Sequence, residues 1–486
     1  MKTNNQTGRM VFMKKTISLC LAVILVLGLC ACGKESAPAT QQQQQAPEFK
    51  VGYGRMDITP TEMGLPLGGY GQSEKRLHTK VLDPLYVTAV AITGTNGETI
   101  ILMSMDIIDS TMHKTVRQRI SSELDIPYDN VMFAATHTHS APDQYYGTNG
   151  GFVLLCQNNA IKAAEMALED QSPATISVGR TETENLNFVR HYLMKDGTYA
   201  GDNFGIWDSG IAAHAEENDP EMQIIKFTRP AEDKKDIVMV NWQGHPCMTG
   251  GVSALDMSAD YIGSTRQQFE YQTKMHFIYF LGASGNQNVK SYIEGETRTF
   301  DYQEQGKFLT EYLMDALENN MTEVSVGKVG TYHHVQMCEI NRDMHDRVDD
   351  AAAIQALYQA TDRETANKLA QELGFSSVYH AGAVLANSGI QEDEEPMDLT
   401  VYAFGDASLA AAPYEMFAAH GVKIKEGTPY AMTFVSTCSN GSTCYLPTEK
   451  AYAFGCYESH TSRFTGDTGT KCADAFLSML ETLKAE

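Results

Sequence analysis

The sequence contains no Cys-x-x-Cys pair, which removes the usual frame of a cysteine zinc knuckle. It is also short of basic residues: 37 Lys and Arg stand against 61 Asp and Glu, for a formal net charge of −24. So acidic a chain lacks the positive footprint that a phosphate backbone demands, and nucleic acid is excluded as a partner. Past residue 49 there is no second long apolar run, no internal repeat and no low-complexity segment. A second spanning helix and a repeat array are therefore not expected.

What is present begins at the N-terminus. Lys14 and Lys15 precede an apolar run over 19–29, which ends in Leu29-Cys30-Ala31-Cys32-Gly33. A charged start, a short apolar core and small residues before a cleavage point describe a secretory signal, too short for an ordinary span. Leu29-Cys30-Ala31-Cys32 also resembles the lipobox of bacterial lipoproteins, which implies a lipid on Cys32; an ordinary signal cut nearby is the alternative. Residues 33–49, with Gln41 to Gln45, read as a flexible tether. The expected organisation is a signal and anchor cysteine over 1–32, a tether over 33–49 and one large domain over 50–486. That domain is expected outside the cytoplasm, held to the membrane through Cys32. Setting Cys20, Cys30 and Cys32 aside, an odd number of the 10 cysteines remains, so at least one thiol is expected unpaired. Cys438, Cys444 and Cys456 crowd one stretch, with Cys472 beyond, and a local disulfide is open there.

Hydrophobic periodicity along the folded part gives mixed α/β structure. β-rich runs at 85–93 and 99–105 flank Asn96-Gly97, a hairpin signal. Residues 114–124, 152–168 and 266–275 have helical spacing, and 348–373 reads as two helices broken near Thr361-Asp362. Further strands are expected at 130–135, 222–228, 237–242, 276–281, 399–404, 408–412 and 431–437. Such alternation favours layered β-sheets with flanking helices.

The most informative stretch is Val131-Met132-Phe133-Ala134-Ala135-Thr136-His137-Thr138-His139-Ser140. If the backbone stays extended, His137 and His139 project to one side and can reach one site. Imidazole is the commonest neutral metal ligand, although hydrogen bonding at a sheet edge accounts for the pair equally well. His245 follows another apolar strand in Asn241-Trp242-Gln243-Gly244-His245-Pro246. Glu415 follows a third, in Pro413-Tyr414-Glu415, and is expected at the start of the next helix. Tyr445 lies in Ser442-Thr443-Cys444-Tyr445-Leu446. Zinc takes three or four such donors, often from distant positions, but spacing alone does not join these segments.

A resemblance joins them. In order, Gly52-Tyr53-Gly54-Arg55-Met56-Asp57-Ile58-Thr59-Pro60, Gly69-Tyr70-Gly71, Thr136-His137-Thr138-His139-Ser140, the His245 loop and Ser258-Ala259-Asp260-Tyr261 are similar to neutral/alkaline non-lysosomal ceramidases. The loop from Gly282 to Asn288, then Pro413-Tyr414-Glu415, the segment from Gly441 to Thr448, and Tyr457-Glu458 continue the series. The resemblance implies a zinc ion held by His137, His245, Glu415 and Tyr445. It also implies a near-site role for His139 and a substrate-contacting role for Arg190. It implies hydrolysis of an amide, with a water on the zinc attacking the carbonyl. Tyr445 is then placed to donate to the tetrahedral intermediate. The family's catalytic serine falls on Asn288, whose amide cannot be an activated hydroxyl but can donate to an oxyanion. The C-terminal sandwich domain of the family is not expected here. The reading is thus a lipid-anchored zinc amidohydrolase acting on a ceramide-like or other small lipid amide. A hydrolase of another amide or ester, and a non-catalytic binding lipoprotein of the same fold, remain the alternatives.

Overall fold

Three sheets carry the molecule, and each begins from the patterning above. Tyr86–Thr93 pairs antiparallel with Thr99–Met105, Val87 opposite Met105 and Thr93 opposite Thr99. Gly97, at φ +82°, supplies the left-handed turn residue between them. In this computed structural model the hairpin lies in a five-stranded sheet with Lys50–Asp57, Val131–Ala135 and Ser172–Pro173. A second five-stranded sheet orders His276–Leu281, Ile237–Trp242, Glu221–Thr228, Thr175–Glu182 and Met321–Val324. The third has four strands, Val329–Glu339, Glu394–Phe404, Ala407–Ala411 and Met432–Ser436. The structure describes residues 48–71, 73–201, 209–251, 253–296 and 300–486. The signal, Cys32 and the tether as far as residue 47 lie outside the described residues. Ala46–Glu486 forms one unit.

Side chains from all three sheets meet in a single apolar cluster. Val90 and Ile92 come from the first, Phe227, Met239 and Ile278 from the second, Leu409 and Phe434 from the third. Helices cover the outer faces, as layered α/β architecture requires. Gly150–Glu169 lies against Lys50–Asp57 so closely that a Cβ on Gly54 would sit 2.0 Å from the Ala163 carbonyl oxygen. The glycines of the Gly52-Tyr53-Gly54 motif therefore serve packing. Asp260–Thr273 and Tyr302–Asn319 cover the second sheet through Phe269, Leu309 and Leu313. Thr468–Ala485 covers the third through Phe476 and Leu480.

The structure departs from expectation in places. The helix expected over 266–275 starts six residues earlier, at Asp260. Gly263, Ser264 and Thr265 are indifferent helix formers, but they are buried, and Ser264 lies against Gly306 of the covering helix, so tertiary packing overrides propensity. The two helices near 361 are Val348–Ala360 and Arg363–Glu372, separated because Asp362 Oδ1 caps the second by accepting from Thr365 N at 2.9 Å. All seven described cysteines are free thiols, so no disulfide forms in the C-terminal stretch. Among the described residues no helix is long and apolar enough to cross a membrane.

One arrangement positions everything that follows. Each sheet contains one parallel pairing: Val131–Ala135 beside Thr99–Met105, Ile237–Trp242 beside His276–Leu281, and Ala407–Ala411 beside Met432–Ser436. The C-terminal ends of these strands are tied together by backbone hydrogen bonds: Ala135 N to Cys438 O, 3.1 Å; Thr437 N to Leu281 O, 3.0 Å; Ala412 N to Ser436 O, 2.8 Å. Ligand sites of α/β folds form at such carboxyl ends.

Candidate metal centre

His137 leaves the first of these ends by a sharp turn. The strand stops at Ala135, and His137 has a φ of +67°, in the left-handed region. This corrects the extended-backbone expectation: the two histidines converge through a turn, not through strand alternation. A non-glycine residue held there costs of order 1–3 kcal/mol, and the surroundings must enforce it. They do so through His137 N donating to Ile107 O at 2.9 Å and the ring Nδ1 pairing with Ile108 O at 2.5 Å. With Nδ1 engaged, Nε2 is turned inward.

His245 repeats the pattern from the second sheet, with Nδ1 3.2 Å from Ser284 O. The Ser258-Ala259-Asp260-Tyr261 motif braces both loops. Thr138 Oγ1 donates to Ser258 O at 2.7 Å, Asp260 Oδ2 accepts from Thr249 N at 2.7 Å, and the Tyr261 hydroxyl donates to Gly244 O. His139 is admitted by Gly69, where a Cβ would lie 2.5 Å from its Nδ1, and Tyr70 packs edge-on against it with ring centroids 5.0 Å apart.

Glu415 is not at a helix start, as expected. It lies on the two-residue strand Glu415–Met416, paired in parallel with Tyr445–Leu446, and the helix begins at Ala418. The backbone hydrogen bond from Gly285 N to Met416 O, 2.8 Å, helps to hold this segment extended. That register puts Glu415 directly beside Tyr445.

The donors converge. His137 Nε2 is 3.2 Å from His245 Nε2, 3.4 Å from His139 Nε2 and 3.3 Å from Glu415 Oε2; His245 Nε2 is 3.7 Å from Glu415 Oε2. Ligands about 2.0–2.1 Å from a tetrahedral ion stand roughly 3.3 Å apart, so these spacings fit zinc. Glu415 Oε2 is buried and makes no hydrogen bond. Burial, helped by the neighbouring His137 and Arg190 cations, holds His139 and His245 well below the usual imidazole value. At His137 burial pulls the same way, but Cys438 and Glu415 outweigh it and hold that ring well above the usual value. The donor set fits a zinc ion.

Tyr445 and Arg190 border this cluster. Burial first, then Glu415, pushes the Tyr445 phenol well above its usual value, so it stays protonated. Its ring meets Tyr457 at 5.8 Å and the Arg190 guanidinium at 5.6 Å. Arg190 is placed by the short pairing of Phe188–Val189 with Gln287–Asn288, Phe188 opposite Asn288, and by Arg190 N donating to Asn286 O at 2.9 Å. Asn288 Oδ1 accepts from Val289 N at 2.8 Å and from the Cys247 thiol at 3.2 Å. His137, His139, Arg190 and His245 lie on loops, whereas Asn288, Glu415 and Tyr445 lie on two-residue strands.

Residues 49–308 match the model of the family described as neutral/alkaline non-lysosomal ceramidase, N-terminal. The chain belongs to the neutral/alkaline non-lysosomal ceramidase family. Over 198 residues it is 27% identical to the neutral ceramidase of Pseudomonas aeruginosa, an alignment spanning 37% of this chain and 27% of that protein. The chain therefore matches well under two thirds of that relative's length. The crystal structure of neutral ceramidase from Pseudomonas aeruginosa superposes with a TM-score of 0.67 at 16% identity, covering 90% of this chain and 75% of that one. A structure of a ceramidase complexed with C2 gives 0.65, again at 16% identity with 90% and 75% covered. At these identities the superpositions establish the ceramidase fold for this chain.

Two groups at the centre escaped the sequence reading. Cys438, with its Sγ 3.6 Å from His137 Nδ1, carried no signal beyond a crowded cysteine stretch. Glu458 was visible only as part of Tyr457-Glu458, yet it is a fully buried carboxylate bonded to Arg190.

Proposed function

We propose that this chain is a zinc-dependent amidohydrolase that cleaves an N-acyl sphingoid, ceramide-like lipid. The observation carrying this reading is the convergence of three imidazole Nε2 atoms with a buried, hydrogen-bond-free oxygen of Glu415. His137, His245, Glu415 and Tyr445 would hold the ion. Zinc bound there would polarise an amide carbonyl and lower the pKa of water towards about 7.

The residues of the chain do the rest. His137 and His245 keep Nε2 inward because Ile108 and Ser284 carbonyls occupy their Nδ1 atoms. His139, with Nε2 3.4 Å from His137 Nε2, is a near-site hydrogen-bonding partner of the ligand set. Tyr445, whose phenol burial keeps protonated, would be the labile ligand, its hydroxyl donating instead to the oxygen on which charge develops. Arg190 binds a polar part of the substrate, and Asn288 contributes an amide donor. The domain over 50–486 is held at a membrane through lipidated Cys32; Cys32→Ala is expected to move the protein from the membrane to the soluble fraction or leave it uncleaved. Membrane retention after signal removal would contradict the anchor.

Turnover of a panel of N-acyl sphingoid, N-acyl amino acid and ester substrates, with zinc measured on the same protein, tests the function. Turnover confined to esters or non-lipid amides would move the substrate class. Zinc without turnover on any of them would favour a binding lipoprotein, a reading supported by Asn288 where the family's serine is expected.

Metal uptake should also move a proton. His137 is held above the usual imidazole value, so at neutral pH the metal-free ring is protonated and must lose that proton to bind zinc. Calorimetry in buffers of different ionisation enthalpy is expected to show about one proton released per zinc, falling to none as pH rises through the His137 pKa. No release at pH 7 would show that His137 is neutral before binding.

A further inference from the structure

Beside the metal cluster lies a second group of buried donors. His191, Cys456 and Glu458 bring one ligand atom each within 4.8 Å of one another. Nitrogen, sulfur and carboxylate together would suit a soft divalent ion. Charge argues otherwise. Glu458 Oε1 accepts from Arg190 Nε at 2.7 Å and lies 2.5 Å from the second guanidinium nitrogen, while Oε2 lies 2.7 Å from His191 Nε2. A divalent ion would have to share that carboxylate with Arg190 at a few ångströms, in an interior that screens repulsion poorly.

The group is therefore complete as a clamp. Glu458 is 0% exposed, and Arg190 and His191 are consecutive residues that take one carboxylate oxygen each. Burial would raise the Glu458 carboxyl, but Arg190 and His191 overcome it and hold it far below the usual range. Burial would likewise lower His191, but Glu458 and Cys456 hold it well above. Phe417 and Phe454 close over the His191 ring, with centroids 5.7 and 5.8 Å away. From this anchorage the Arg190 guanidinium reaches the face of Tyr445, which registers with Glu415.

We propose that Glu458 is a positioning residue: seated on His191, it fixes the Arg190 guanidinium against Tyr445 at the edge of the metal centre. This rests on the amidohydrolase reading. Arg190 is the group that meets substrate; Glu458 acts through it. A guanidinium on an unsupported long side chain would sample many rotamers, whereas a bonded one is presented in a single orientation. Cys456, beside His191, completes the wall behind its ring.

The test uses the full chain with zinc and the best substrate from the amide panel. Glu458→Gln keeps the shape but removes the charge; Glu458→Asp keeps the charge and withdraws it by about 1.5 Å, one carbon–carbon bond. Glu458→Gln is expected to retain one zinc per chain and to lose about 10–100-fold in kcat/KM, with Glu458→Asp restoring part of it. In an Arg190→Ala background, Glu458→Gln should cost nothing further. Wild-type turnover in Glu458→Gln, or additive losses in the double variant, would overturn the proposal. So would two zinc ions in the wild type and one in Glu458→Gln, which would make the cluster a metal site. If the wild type turns over no amide, the function reading fails separately, and thermal unfolding tests the clamp. Each single variant should then lower Tm and the double no further than the worse single; an additive drop would overturn it.

Discussion

His137→Ala and His245→Ala are each expected to remove nearly all bound zinc and all measurable turnover. The remaining donors in either variant would include the neutral phenol of Tyr445, a weak ligand that burial keeps protonated. His137→Ala removes in addition the ring that carries the cluster's proton, so calorimetry on any residual binding should show no proton release. Unfolding measured in the presence of a chelator separates loss of metal from loss of fold. Both losses should appear with the metal-free Tm close to that of the metal-free wild type. If both variants retained full zinc, the ion would have to be bound elsewhere.

The second large effect concerns residue 288. Were the side chain at this position the obligatory nucleophile, the wild type would be inert and Asn288→Ser would create activity. The proposed reading has water attack instead, because the ligand positions are kept while an amide, which cannot serve as an activated hydroxyl, stands at Asn288. Wild type is then active, and Asn288→Ala lowers kcat by about 10²–10³-fold, the usual effect of losing one oxyanion donor. Asn288→Ser should fall between them without forming a covalent intermediate. An acyl-enzyme trapped on the wild-type protein would defeat this account.

The parts of the fold that local patterning controls were legible. The hairpin around Asn96-Gly97 and the strand His276–Leu281 needed only alternation, apolar runs and turn chemistry. The start of Asp260–Thr273 was not, because its first turns owe their helical state to a partner helix far along the chain. The same division holds at the site. Residue types at strand ends marked His137, His245 and Glu415 individually, but what brings them together is hydrogen bonding between the ends of strands in different sheets. No local period reports that. The left-handed backbone of His137 and the extended backbone of Glu415 are imposed in the same way, by Ile107, Ile108 and Gly285.

That construction also fixes when the centre can exist. A growing chain that has reached Asn288 offers imidazoles but neither Glu415 nor Tyr445, and the strands that deliver those two residues are among the last to be made. Even then the donors face one another only after the three sheets have docked, since Ala135, Leu281 and Ser436 must meet end to end. On the zinc proposal, metal capture would be the closing event of folding rather than its seed. Under the proposed export and zinc dependence, the ion would be taken up after the chain has folded, and zinc scarcity would leave a folded but inactive protein rather than a misfolded one.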